Sequence, residues 1–574
     1  LTTAESRVVA AALAGEPVDL SQDDAKVPIR ASVVCDLLSG TWDGRPVDPR
    51  GVRVTGARLT GEVDLSWRTL AVPLALDGCD IDEPILLLST HAPAISLRRC
   101  HLTSISADRL QVEGDFVVGD SVVRRDIRMI GADIGGTLRL SGTTITAVAS
   151  REAFFGSRMR VGGTAFLNRG FVALGEVRIA DAHIGNTLTF RRAAVVGSKR
   201  RVYGDELGDE GDGAATPRTS EDRPRAISAS RITVGGSLFL NLGFSSVGVV
   251  RLTGASVGGQ LSCNRGRFSC EDGEALGLTG VNVQRNVLLR RAVVLGAILA
   301  WRCRIGGDLD LRRATLVNRG KVVLSLNGAH IAGSVILRTI PRPIEGKVEM
   351  LGTFAGQVDD DPSAWSRLDG DIDLRGLTYD LITEPEHVPV ADRITWLEHQ
   401  VPFSPQPYAQ LASTYRANGR AAEAADIQIA RERRSRHNLP RRSPRRWWNA
   451  FLAVSVGHGR RPFRPIIAVL AAFAIASLVF WAAGTREAMV STAEEGAARS
   501  DRCTSESACF FAPQYVLSSL LPFVELGQTD DWRPDQSRPW GWSLEALRVT
   551  LVLLGWISST ALLAGLAAVY ADDR

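Results

Sequence analysis

At 574 residues the chain is too long for one ordinary hydrophobic core, which points to several domains or to an extended repeat. A net charge of +4 is too small over that length to define a partner by bulk electrostatics, so the placement of charge matters more than its sum. Lysine is nearly absent: Lys26, Lys199, Lys321 and Lys347 are the only four among 67 basic residues, which leaves arginine as the cation to follow.

The opening LTTAESRVVAAALAGE has neither the basic start nor the apolar run of a cleavable leader, so the N-terminal part is expected to stay in the cytosol. Residues 1–45 read as a helical cap, with Val8, Val9 and Leu13 and then Val33, Val34, Leu37 and Leu38 near helical spacing. Such a cap covers the open end of a repeat, where unpaired strand edges would otherwise recruit other chains.

Residues 46–380 carry the strongest internal signal, apolar-Gly-Gly-x-apolar-x-apolar. It appears as IGGTLRL from Ile134, VGGTAFL from Val161, IGNTLTF from Ile184, VGGSLFL from Val234, VGGQLSC from Val257, IGGDLDL from Ile305 and IAGSVIL from Ile331, with a degenerate VQRNVLL from Val283. Successive starts lie 27, 23, 50, 23, 26, 22 and 26 residues apart, as expected for one structural coil per repeat. The interval of 50 contains a Gly-, Pro- and charge-rich insertion, residues 197–226, expected to be disordered.

Inside each coil apolar residues alternate with polar ones, as at Leu138 and Leu140 or Leu309 and Leu311, which is strand rather than helix periodicity. The Gly-Gly pair suits a corner that needs positive φ or close approach of neighbouring backbones. Together these features predict a right-handed parallel β-helix, with shorter coils of the same kind from Val52 and from Leu74. Cys35, Cys79, Cys100, Cys263, Cys270 and Cys303 lack the paired spacing of a metal or redox site and read as small core residues.

Eight residues after the motif start, arginine stands in five of the eight copies: Arg169, Arg192, Arg265, Arg291 and Arg313. The preceding position is Asn or Arg in seven: Asn168, Arg191, Asn241, Asn264, Arg290, Arg312 and Arg338. Stacked coils would turn these positions into columns about 4.8 Å per step. One reading is a basic strip for an anionic partner such as a cytoplasmic protein, a polyanion or lipid headgroups. The other is a turn in which Asn makes its own side-chain hydrogen bonds and Arg merely solvates the next residue, neutralised by nearby acids.

Residues 390–438 read as a helical neck, with PYAQLASTYRANGRAAEAADIQIARERR forming two amphipathic helices about Gly419 and resembling a single tetratricopeptide unit; Trp396 is a candidate contact with the last coil. Residues 439–464 form a basic linker, with Arg441, Arg442, Arg445, Arg446, Arg460 and Arg461 expected to meet anionic headgroups. Residues 465–484 and 546–571 are uncharged or nearly so over a length that spans a bilayer, and predict two transmembrane helices. The arginine excess before the first places the solenoid and the C-terminus on the cytoplasmic side of an inner, plasma membrane. Between them, residues 485–545 are expected outside, with Cys503 and Cys509 able to form a disulfide. The segment 510–527 is expected to be interfacial or re-entrant, and Pro522, Glu525 and Gly527 would line the constriction if two helices and this segment built a pore.

Taken together, LTTAES, the repeated GGxL coils, PYAQLASTYRANGR, LLPFVELGQ and LGWISSTALLAGL resemble an actinobacterial family of membrane-anchored solenoid proteins commonly labelled membrane-associated oxidoreductases. The resemblance runs over essentially the whole chain and implies a membrane location and redox activity, while offering no catalytic residue to carry over. The residues themselves show no GxGxxG at a strand-to-helix turn and no haem or iron–sulfur spacing, so no cofactor is expected. Asp308 with Asp310, and Asp369, Asp371 and Asp373, alternate as the carboxylates of a sugar-cleaving β-helix would, but are expected to face solvent; Asp359 to Asp361 reads as a loop. The function expected from sequence is therefore a binding scaffold, with oligomerisation through its helices, and a pore or an oxidoreductase as alternatives.

Overall fold

In the computed structural model the described residues are 1–21, 26–147, 152–197, 223–361, 364, 372–383, 388–437, 463–486, 488–492, 509–521 and 526–572. The chain divides into two compact units, Leu1–Arg420 and Ala421–Arg574.

The first unit is a parallel β-solenoid of about 13 turns, built from two sheets of 24 and 22 strands. A coil contributes two short strands to each sheet, for example Asp133–Ile134 and Leu138–Arg139 to one, then Thr144–Ile145 and Glu152–Phe155 to the other. The next coil stacks in register, pairing Ile134 with Val161, Leu138 with Ala165 and Ile145 with Ala173. Sequence alternation suggested two strands per coil. In the earlier coils the structure breaks each into two, because the inward pattern resets at a corner: Ile105 and Ala107, Leu110 and Val112, Phe116 and Val118 are inward pairs, each pair restarting after a turn, whereas Val293–Leu299, Thr315–Ser325 and His330–Leu337 each run as one strand. Aromatic rings at one inner corner continue the stacking, with Phe190, Phe244 and Phe268 at centroid separations of 6.2 and 5.4 Å.

Close approach, not positive φ, explains the Gly-Gly motif. A Cβ on Gly235 would lie 2.1 Å from the carbonyl oxygen of Gly185, and one on Gly162 would lie 2.4 Å from that of Gly135. Each first glycine therefore lets its own coil settle on the carbonyl of the coil before.

Both ends of the solenoid are closed. Helix α1 (Thr3–Ala14) starts in a capping box between Thr2 and Glu5, and α2 (Ala31–Leu37) follows the first coil strands. The carboxylate of Glu5 is buried and accepts from Nε and Nη2 of Arg30, both at 2.8 Å. That guanidinium outweighs the opposing effect of burial and holds the Glu5 carboxyl down at about 2. At the other end lie α3 (Val390–Glu398) and α4 (Gln406–Ala417). Gln406 Nε2 donates to the carbonyl of Leu377 at 2.9 Å and Gln410 Nε2 to that of Tyr379 at 2.7 Å, so side-chain amides satisfy acceptors of the last strand. Arg393 Nη1 donates to Asp360 Oδ2 at 2.8 Å and its Nη2 lies 2.7 Å from Oδ1 in an ion pair, with both side chains excluded from solvent. Trp396 is buried beside it, its ring 5.9 Å from the guanidinium.

Two acidic readings change accordingly. The run from Asp359 is not a loop, since Phe354–Asp360 is a strand and Asp360 is buried. Asp310 does not face solvent: it is buried and accepts from Arg290 Nε at 2.5 Å and Arg312 Nη2 at 2.6 Å. Burial alone would raise its pKa, but the two arginines and the Arg312 backbone N–H hold it below the usual carboxylate range. Asp373 pairs with Arg375 at 2.7 Å, while Asp369 and Asp371 lie outside the described residues.

The neck expected over 390–438 is divided: α4 belongs to the first unit, and α5 (Ala421–His437) to the second. The second unit also holds α6 (Phe463–Thr485), α7 (Ala512–Leu520), the short α8 (Gln528–Asp531) and α9 (Gly541–Asp572). Met489–Ser491 and Trp532–Pro534 form an antiparallel pair. Phe480, Tyr515, Val516, Leu520, Trp532, Leu544 and Leu551 share a core drawn from α6, α7, α9 and that pair.

The two transmembrane helices expected at 465–484 and 546–571 are not upheld: among the described residues no helix is long and apolar enough to cross a membrane. The described side chains of α6 begin only at Val469, and those of α9 include Trp542, Glu545 and Arg548, with Arg548 Nη2 donating to Glu545 at 2.6 Å.

Candidate functional site

The coil corner that follows the second strand of the larger sheet carries a residue with left-handed backbone in coil after coil. Arg169, Arg192, Arg265, Arg291 and Arg313 all occupy it, with φ between 51° and 58°. Their backbone N–H groups donate to the next coil, Arg169 to Arg191, Arg265 to Arg290, and Arg291 to Arg312, all at 2.9 Å. Leu242 holds the same position between Arg192 and Arg265, donating to the carbonyl of Asn264. Five of six consecutive corners are thus arginine, over about 24 Å at the strand spacing of a sheet.

The geometry of the corner does not demand arginine. Gly78, Asp120, Gly142 and Thr339 fill it in other coils, and glycine adopts this backbone at least cost. Neighbouring arginines are spoken for: Arg99 pairs with Asp77, and in the other left-handed column Arg231 pairs with Asp181 at 2.7 Å and Arg109 lies 5.5 Å over the ring of Trp67. By contrast Arg169, Arg192, Arg265, Arg291 and Arg313 are exposed and have no acid within 4.0 Å among the described residues.

The preceding column is structural. Asn168 accepts from Ser141 Oγ at 2.7 Å, Asn241 donates to Ser262 Oγ at 2.9 Å, and Asn264 accepts the backbone N–H of Arg290 at 2.8 Å. Arg290 and Arg312 clamp Asp310, and Arg338 pairs with Asp359. The Asn side chains and Arg290 before the corner thus bond to neighbouring coils rather than to their own turn, while the corner arginines have no acid beside them among the described residues.

Sequence reasoning passed over the strand immediately after this corner. Its outward positions are Val172 and Leu174, Ala194 and Val196, Ser245 and Val247, Arg267 and Ser269, Val293 and Leu295, Thr315 and Val317, stacked in register. Leu174, Val196 and Val247 are 44, 41 and 48% exposed. The signal was present in Leu174, Val196, Val247, Leu295 and Val317, where alternation predicts polar outward residues.

The remaining candidate residues are dispersed. Arg441, Arg442, Arg445, Arg446, Arg460, Arg461, Cys503, Pro522 and Glu525 lie outside the described residues. Cys509 is disulfide-bonded. Gly527 has φ 78° and precedes α8. The other six cysteines are free and buried, and burial raises the thiols of Cys263 and Cys303 to about 12. Among the described residues no group of three His, Cys, Asp or Glu could hold a metal ion.

Fold and site define a repeat protein of the parallel β-solenoid class that carries an unneutralised arginine row along one corner. No family model, no curated protein and no solved structure matches this chain.

Proposed function

We propose that the solenoid is an interaction scaffold that holds an anionic partner along the row Arg169, Arg192, Arg265, Arg291 and Arg313. The observation that carries this reading is that arginine recurs at a left-handed corner where glycine is less strained, and does so without an acid beside it. Backbone bonds between coils fix the main chain beneath the row, so the charges are spaced in advance and little main-chain freedom is lost on binding. Arginine suits the role because its planar fork meets carboxylate or phosphate with two parallel bonds.

The test is titration of the chain with fluorescent poly-glutamate at several salt concentrations. The parent should bind with an affinity that falls as salt rises, and Arg265→Ser, Arg291→Ser and Arg313→Ser together should weaken it at least tenfold. Equal affinity of parent and triple variant would remove the proposal.

A further inference from the structure

The arginine row is one border of a wider surface. Immediately downstream of each corner the chain turns into a strand of the smaller sheet, whose outward residues form a second row parallel to the first: Leu174, Val196, Val247, Ser269, Leu295 and Val317. Across these six coils five corners carry a cation and five of the parallel positions a branched apolar side chain, Leu242 interrupting the first row and Ser269 the second. A fully hydrated polyanion would use the first row and leave the second facing water.

We infer that the occupant of this surface is an acidic amphipathic α-helix of a partner protein, lying parallel to the solenoid axis; the inference rests on the anion-binding reading above. The argument is one of matched repeats. A helix advances about 5.4 Å per turn and the solenoid about 4.8 Å per coil, so across five steps the two drift by only about 3 Å, which arginine side chains can absorb. One apolar residue per turn, at i, i+3 or i+4, and i+7, would seat on Leu174, Val196, Val247, Leu295 and Val317. A carboxylate on the flank of each turn would then face Arg169, Arg192, Arg265, Arg291 or Arg313. At the second position of the arginine row stands Arg192 and at the third Leu242, so the contact with the third turn is apolar on both sides. Charge complementarity sets the helix's acidic flank toward the corner, and the apolar row sets which face turns down.

The experiment uses the whole chain and a synthetic 21-residue helical peptide with one Leu per turn on one face and Glu along the adjoining flank. Probes of equal charge are poly-glutamate, a duplex DNA, and vesicles of phosphatidylglycerol with phosphatidylcholine. The Leu/Glu peptide should bind at least tenfold tighter than poly-glutamate. Leu174→Asn, Val196→Thr and Val247→Thr together should remove that advantage while leaving poly-glutamate binding unchanged. Hydrogen exchange of the unmodified protein with the peptide should slow in residues 172–174, 194–196 and 245–247, a readout that needs no variant to fold. Poly-glutamate binding as tightly as the peptide, no protection in those strands, or an apolar-row dependence for DNA or vesicles instead, would overturn the helix and leave the anion row standing. Loss of the arginines without effect on any probe would overturn the anion row itself.

Discussion

Two edges of the same coil repeat with equal regularity and for opposite reasons. At the glycine edge, Gly162, Gly185, Gly235 and Gly258 recur where a Cβ would run into the carbonyl of the previous coil, although Glu113, Gln284 and Ala332 take the same position in other coils. At the arginine corner the fold admits Gly, Asp, Thr and Leu, and arginine recurs all the same. Periodicity alone therefore does not separate architecture from function in a solenoid. What separates them is whether the neighbouring coil presses on the position: a Cβ on Gly235 would lie 2.1 Å from a carbonyl oxygen, whereas the corner asks only for a left-handed backbone.

That contrast can be broken or sharpened by substitution. The largest effect is expected where a charge is built into the closure of the solenoid: Arg393→Met leaves Asp360 buried without its fork and should cost about 3–5 kcal/mol. Chemical denaturation would show it, and a loss below 1 kcal/mol would mean that α3 is not held by this pair. Next comes the glycine edge, where Gly235→Ala should cost about 1–3 kcal/mol through the clash with Gly185. An unchanged melting temperature there would erase the distinction between the two edges.

The Glu5 carboxyl supplies a smaller, pH-dependent effect. Its pKa lies below the ordinary carboxylate value when folded, so its contribution to stability is present at neutral pH and is lost as pH falls from about 4.5 toward about 2. The parent should lose melting temperature faster than Glu5→Gln over that window, and parallel curves would contradict the pairing with Arg30. Smallest of all, Arg291→Gly and Arg313→Gly should leave stability within about 1 kcal/mol of the parent, because relief of backbone strain offsets the greater freedom of the unfolded chain. A large destabilisation at these corners would turn the row into architecture.

The repeat and the arginine positions were legible in sequence because each depends on residues at fixed intervals in one coil; of the insertion expected over residues 197–226, residues 198–222 lie outside the described residues, and its end is already strand, Arg225–Ser228. The splitting of strands in two in the earlier coils was not, since a reset of alternation every few residues resembles ordinary irregularity until the inward pairs are seen stacked. Asp310 and Asp360 were misplaced because the arginines that make their burial tolerable come from a neighbouring coil or from α3, at separations of 20 and 33 residues. The C-terminal apolar runs were read as spans on length and hydropathy, where the described part of α9 carries Glu545 and Arg548 and shares its apolar face with Phe480 and Tyr515. The apolar row beside the arginines went unread because exposed valine looks like core valine until its partner strand is known.

The pairing of Ile184 with Val234, although 50 residues separate them, is as regular as that of Val161 with Ile184 at 23. A coil in this chain thus tolerates a long excursion from one corner provided that the chain returns to the same rung. The consequence is that this corner is a natural cassette position. A reporter or an unrelated small domain could replace the excursion between Gly197 and Arg223 while the ruler formed by the arginines keeps its markings, and rungs could be added or withdrawn on either side to lengthen or shorten it.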